Sequence, residues 1–166
     1  MTPLYLTLVF VGLQRLAELA WAGHNTARLR RLGAIEADAG GYPYLVALHA
    51  GWLASLALLV PAATPPSWPL LAGFALLQPA RLWVIFSLGR LWSTRILSLP
   101  SAPLIRAGPY RWLRHPNYVI VAGEIALLPL AFGAVAIAAG FSALNLALSA
   151  RRIAIEDRIL APRRGL

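Results

Sequence analysis

Apolar residues run along this chain in four long stretches, 3–22, 43–62, 69–88 and 118–149, and the polar positions between them fall in compact clusters. A transmembrane helix needs about 20 mostly apolar residues, so each stretch is long enough to cross a bilayer. Pro43 opens the second stretch and Pro61 lies near its close. The breaker-rich run Thr64-Pro65-Pro66-Ser67-Trp68-Pro69 separates it from the third. As a single helix, the 32 residues of the fourth would extend about 48 Å, well beyond a hydrocarbon core of about 30 Å. Pro129, Gly133 and Gly140 lie inside it, and a helical hairpin turning near Phe132-Gly133 is the more economical reading. The pattern predicts one domain over residues 1–166 with an all-α integral-membrane fold. It has about five transmembrane helices, the last two a helical hairpin, plus a cytosolic C-terminal helix extension.

The basic residues test that count. All fifteen are Arg and none is Lys. Segment 23–42 carries Arg28, Arg30 and Arg31; segment 89–117 carries Arg90, Arg95, Arg106, Arg111 and Arg114; the tail carries Arg151, Arg152, Arg158, Arg163 and Arg164. The segment 63–68 and the proposed turn have none. With five spans, thirteen of the fifteen Arg fall on one side, which the positive-inside rule makes cytoplasmic. The N-terminus is then outside and the C-terminus inside. One uninterrupted fourth helix would put the Arg-rich tail outside, against that rule. The start, Met1-Thr2-Pro3-Leu4, lacks a basic n-region and a small-residue cleavage site, so 3–22 reads as a retained span.

Composition agrees. The chain is 59% hydrophobic and 13% charged, with mean hydropathy +0.67, against about 25% charged in soluble domains. Lipid is part of its solvent. The net charge of +9 is gathered at one membrane face, where topology and anionic lipid headgroups account for it; the basic segments are short and membrane-anchored, which argues against nucleic acid as a partner. The exclusive use of Arg reflects either codon bias or a need for permanently charged, forked donors. Without Cys, disulfides, thiol catalysis and Cys-ligated zinc are excluded. Three His and no Cys argue against a tight metal site, and no Gly-rich phosphate loop, His-Glu-x-x-His or Gly-x-Gly-x-x-Gly after a strand occurs.

Three constellations can carry chemistry. In Arg114-His115-Pro116-Asn117-Tyr118, Pro116 biases His115 away from helical dihedrals and suits the first turn of the following helix. Free N–H groups and the positive dipole end make that terminus an anion site, to which His115, Asn117 and Tyr118 add donors; the plainer alternative is a polar cap with interfacial aromatic anchors. In the second constellation, Arg152 and Glu156 stand i,i+4 beside Asp157 and Arg158, either as a surface ion pair or with specific partners. The third is the set of polar residues within spans: Gln14, Arg15, Glu18, His49, Gln78, Arg81, Glu124 and Asn145. Such residues face a cavity or one another. Arg15–Glu18 reads as a pair within one helix, Arg81–Glu124 as a pair across helices, and His49 as an interhelical hydrogen bonder.

These residues resemble the isoprenylcysteine carboxyl methyltransferase family of integral-membrane methyltransferases. The family pattern Gly-x-Tyr-x-x-x-Arg-His-Pro-x-Tyr, a helical hairpin and Arg-Ile-x-x-Glu-Glu-x-x-Leu is matched by Gly108, Tyr110, Arg114, His115, Pro116 and Tyr118, then Arg152, Ile153, Glu156, Asp157 and Leu160. Gly89-Arg90-Leu91-Trp92-Ser93-Thr94-Arg95-Ile96, Leu99-Pro100, Gln14-Arg15-x-x-Glu18 and Asn25 further resemble a bacterial branch, the alkylpyrone and phenolic-lipid O-methyltransferases. The resemblance implies S-adenosylmethionine as methyl donor, held in a cytosol-facing pocket, and a lipid-like acceptor arriving from the bilayer. Carried over by position, Arg114, His115, Pro116, Asn117, Tyr118 and Glu156 are cofactor-binding candidates. Arg152 and Glu156 are catalytic candidates, with Arg95 as a second oxyanion partner and Glu124 as a possible base. Asp157 in place of the second Glu shortens that carboxylate's reach. Pro162 and Gly165 break any helix where eukaryotic members carry a Tyr-rich tail, which favours a smaller lipid over a prenylcysteine. The alternatives are a prenylcysteine carboxyl methyltransferase and a non-enzymatic membrane scaffold. The sequence leaves the oligomeric state open.

Overall fold

The computed structural model describes residues 1–100 and 102–163; Arg164 and Gly165 lie outside the described residues. Five α-helices carry the fold: α1 (Pro3–Arg31), α2 (Tyr42–Leu59), α3 (Trp68–Leu88), α4 (Pro116–Ala131) and α5 (Val135–Leu160). The first three are long and apolar enough to cross a membrane. Prolines at the first helical positions start α1, α2, α3 and α4, where a missing N–H costs nothing. The structure bears out the predicted hairpin. α4 ends at Ala131, Phe132 follows, and Gly133 turns the chain at φ 69° into α5.

One feature differs from the expected pattern. α1 does not stop near residue 22 but runs two further turns, carrying Arg28, Arg30 and Arg31. The C-terminal extension is a continuation of the hairpin's second arm: α5 runs unbroken from the turn to Leu160. The 23–42 and 89–117 segments also contain a two-residue antiparallel pairing, β1 (Ile35–Glu36) with β2 (Leu97–Ser98), in the register Ile35↔Ser98.

Burial is inverted relative to a water-soluble domain. Leu6, Phe10, Leu13, Leu16, Leu58, Leu76 and Phe86 are exposed, while Glu18, Gln78, Arg81, Glu124, Asn145, Ser149 and Arg152 are buried. Polar groups facing inward and apolar groups facing outward are what lipid demands. An apolar core around Leu4, Val11, Trp52, Leu56, Phe74, Ile125 and Leu128 packs the end of the bundle near the hairpin turn. A smaller cluster, Ala22, Val84, Ile85, Trp92 and Ile120, packs the other end. There the 89–96 segment is tied to α1: the Asn25 side-chain N–H donates to the Gly89 and Trp92 carbonyls at 3.1 and 3.0 Å, and Thr26 and Ser93 hydroxyls meet at 2.9 Å.

Candidate active site

Between helices that converge at the arginine-rich face lies a cavity of about 1000 Å³, at the upper end of the range for small-molecule sites. Its wall draws on segments far apart in sequence. Arg114, His115, Asn117 and Tyr118 come from the start of α4, Arg152 and Glu156 from α5, and Arg95 from the loop before β2. Pro116 is buried at the start of α4 and positions its neighbours without lining the cavity. Glu124 is fully buried and does not line it either.

Hydrogen bonds link the start of α4 to the last turns of α5, at the open end of the hairpin. His115, held just before α4 at φ −131°, places Nδ1 3.1 Å from Glu156 Oε2 and Nε2 3.0 Å from Asp157 Oδ1. With carboxylates on both nitrogens the imidazolium donates twice. The Glu156 hydrogen bond is the main cause that raises the His115 pKa above its ordinary 6.5; burial opposes it and Asp157 adds to it. The shorter Asp157 reaches His115 nonetheless. Tyr118 donates its hydroxyl to Glu156 Oε1 at 2.6 Å, and Arg152 donates Nε to that hydroxyl oxygen at 3.3 Å and Nη2 to the Thr94 carbonyl at 3.0 Å. Arg152 Nη1 and Asn117 Oδ1 are buried without a partner among the described residues. A free donor and a free acceptor in a cavity wall are sites a polar ligand can satisfy.

Tyr110 also lines this end. Burial, helped by the Glu156 charge, pushes its phenol pKa up, so it stays protonated. It stood in the Gly108-x-Tyr110 motif without an assigned role. Gly108 takes φ 56°, and a Cβ there would collide with Ser87 Oγ; only glycine lets the turn carrying Tyr110 sit this close to α3. Arg95 does line the cavity, but Glu36 and Tyr42 engage it: Nη1 lies 2.7 Å from Glu36 Oε1, and the guanidinium sits 4.0 Å above the Tyr42 ring. Burial acts to raise the Glu36 pKa, yet hydrogen bonds from Arg30 and Arg95 outweigh it and hold the carboxyl below its ordinary 4.5.

Deeper in the bundle the intramembrane charges form one lattice: the expected pairs Arg15–Glu18 and Arg81–Glu124 both form, and two further pairs, Arg81–Glu18 and Arg15–Glu124, join them. Arg81 clamps Glu18 through Nε and Nη2, both at 2.6 Å, and reaches Glu124 at 3.1 Å. Arg15 bonds Glu124 at 2.6 Å as well as Glu18 at 3.1 Å. Gln78 adds a bond to Glu124 at 3.1 Å and Gln14 one to Glu18 at 3.3 Å.

The sequence profile of the isoprenylcysteine carboxyl methyltransferase (ICMT) family matches residues 70–162, the part that supplies α3, the hairpin and most of this wall. The chain belongs to that family. It is similar to the uncharacterized protein YpbQ of Bacillus subtilis (strain 168), with 38% identity over 160 residues, 94% of this chain and 95% of the relative. No solved structure matches it significantly. In this ICMT-family chain the Arg-His-Pro and Arg–Glu segments, far apart in sequence, share one hollow.

Proposed function

We propose that this protein is an integral-membrane, S-adenosylmethionine-dependent O-methyltransferase acting on a lipid-like acceptor of the alkylpyrone, alkylresorcinol or related polyketide type. The observation that carries this reading is the shared cavity. His115, Asn117, Tyr118, Arg152 and Glu156 line it together with apolar residues of α1 and α2 such as Leu16, Val46 and Leu53. One compartment thus offers a charged, hydrogen-bonding pocket and an apolar approach. The Arg-rich face is read as cytoplasmic and the N-terminus as outside.

The donor set fits the methyl donor. Its carboxylate suits the unpaired Arg152 Nη1, its ammonium or a ribose hydroxyl suits the unpaired Asn117 Oδ1, and Glu156 can accept from further N–H or O–H groups. When bound, S-adenosylmethionine supplies an electrophilic methyl group on a sulfonium sulfur. The protein's part is alignment and exclusion of water. Arg152, fixed by Tyr118 and Thr94, would hold the donor in place, and Arg95, which lines the same cavity, is the cation that would favour an acceptor oxyanion. Glu124 is assigned to the lattice and not to proton transfer, because Arg15, Arg81 and Gln78 already occupy its carboxylate.

The test is calorimetry with S-adenosylhomocysteine on the purified protein, followed by transfer of labelled methyl to an amphipathic phenol. Binding and transfer in the wild type, with transfer lost in Arg152→Ala and Glu156→Ala but membrane insertion kept, is the expected result. Absence of any donor binding discards the reading in favour of a scaffold.

A further inference from the structure

The membrane-side end of the cavity holds two polar side chains that the donor pocket does not use. Asn145 on α5 is 1% exposed and lines the cavity, and neither its amide oxygen nor its amide nitrogen has a partner among the described residues. A buried amide left unmade at both ends is costly, and the cavity is where a partner can reach it. His49 on α2 lines the same cavity. Its Nδ1 lies 2.9 Å from the Leu45 carbonyl oxygen. A carbonyl only accepts, so Nδ1 carries the proton, and the neutral ring keeps a free lone pair on Nε2. The expected interhelical bond is therefore a bond within α2, one turn back, that leaves the outer nitrogen uncommitted.

The two residues sit at neighbouring levels. α2 and α5 are antiparallel: Arg151 grips Asp38 just before α2, and a Cβ on Gly51 would lie 3.6 Å from the Phe141 ring. This register sets His49 and Asn145 within about one turn of each other. The charges nearby are already balanced, Arg15 and Arg81 against Glu18 and Glu124. A carboxylate arriving here would be an uncompensated charge away from water. A free lone pair beside a free amide instead complements a group that both donates and accepts.

We propose that His49 and Asn145 form the headgroup subsite for the methyl acceptor, and that this acceptor is a neutral hydroxyl with a carbonyl or second hydroxyl close by, on a long apolar chain, rather than a carboxylate. This rests on the methyltransferase reading above. The hydroxyl donates to His49 Nε2, the Asn145 amide N–H donates to the neighbouring oxygen, and Asn145 Oδ1 accepts from a second hydroxyl. The chain leaves past Leu16 and Val46, which line the cavity and are exposed on its outer side.

The full-length protein in lipid nanodiscs is titrated calorimetrically with pentadecylresorcinol, with an S-farnesylcysteine carboxylate and with S-adenosylhomocysteine. Each hydrogen bond lost should weaken resorcinol binding about tenfold in His49→Phe and in Asn145→Leu, with S-adenosylhomocysteine binding within about twofold of wild type as the control for folding. Asn145→Ala is a gentler truncation at the same position and should show the same loss, and His49→Gln, which restores an acceptor atom, should recover most of the affinity. Unchanged resorcinol affinity in the truncated variants, or tighter wild-type binding of the carboxylate than of the resorcinol, overturns the subsite. A wild type that binds no S-adenosylhomocysteine overturns the methyltransferase reading itself, a separate failure.

Discussion

The protein holds two polar clusters of similar size and opposite character. In the charge lattice of Arg15, Glu18, Arg81 and Glu124 every ion is matched, and Arg81 and Glu124 are 5% and 0% exposed. In the ring of His115, Tyr118, Arg152, Glu156 and Asp157 the side chains are only partly covered, apart from Arg152, and Arg152 Nη1 is left with an open valence. The lattice is balanced in charge, although Arg15 Nε has no partner among the described residues and Arg15, Glu18 and Arg81 also line the cavity; the ring differs in its half-covered carboxylates beside an unpaired Arg152 donor. Charge buried in a membrane bundle is thus no guide to catalysis until its hydrogen bonds are followed to the end.

The sharpest way to break this contrast is Glu124→Leu. It leaves two guanidiniums to share Glu18, with one buried positive charge uncompensated, and should destabilise the bundle by about 3–5 kcal/mol, read as a lower thermal midpoint, while the molecules still folded bind S-adenosylhomocysteine normally. Donor binding lost without loss of stability would merge the two clusters into one site. Arg152→Ala and Glu156→Ala should do the reverse, reducing methyl transfer at least about a hundredfold through misplacement of the reactants with little change in midpoint.

His115 sharpens the comparison through pH. Its folded pKa is raised, so the bridge to Glu156 and Asp157 is fully present below the ordinary 6.5 and is lost as pH rises through the raised value. The gap in thermal midpoint between wild type and His115→Gln should be widest below pH 6.5 and shrink on the alkaline side. A constant gap would mean that His115 contributes by packing alone. The smallest effect on the site belongs to Arg151→Ala: its side chain is 52% exposed but Asp38 is buried, so losing the pair should cost about 1–3 kcal/mol with no effect on donor binding.

The hairpin was legible because two independent signals agreed. Pro129 and Gly133 break an overlong apolar run, and the Arg bias demands a return to the same side. The two-residue strands were not, because Ile35–Glu36 and Leu97–Ser98 are too short for any period to show. The lattice was half legible. Its members stand out as charges in apolar stretches, and Arg15–Glu18 and Arg81–Glu124 pair as expected, but nothing in the sequence shows that Arg81 also clamps Glu18 and Arg15 also reaches Glu124. At the site, the Arg-His-Pro and Arg–Glu segments meet as the motif suggests. Tyr110 was visible in that motif but carried no assigned role, and nothing in a sequence shows that His49 spends Nδ1 on its own helix.

The length of α4 reaches beyond the protein. Its 16 residues rise about 24 Å, some 6 Å less than a typical hydrocarbon core, and the Ser67 N–H to Ala131 carbonyl bond of 2.7 Å pins its far end to the start of α3. Surrounding acyl chains must therefore compress where the hairpin turns. Local thinning of the bilayer at the hairpin end is the expected consequence, so bilayers of shorter-chain lipids should suit the protein better than thick, saturated ones.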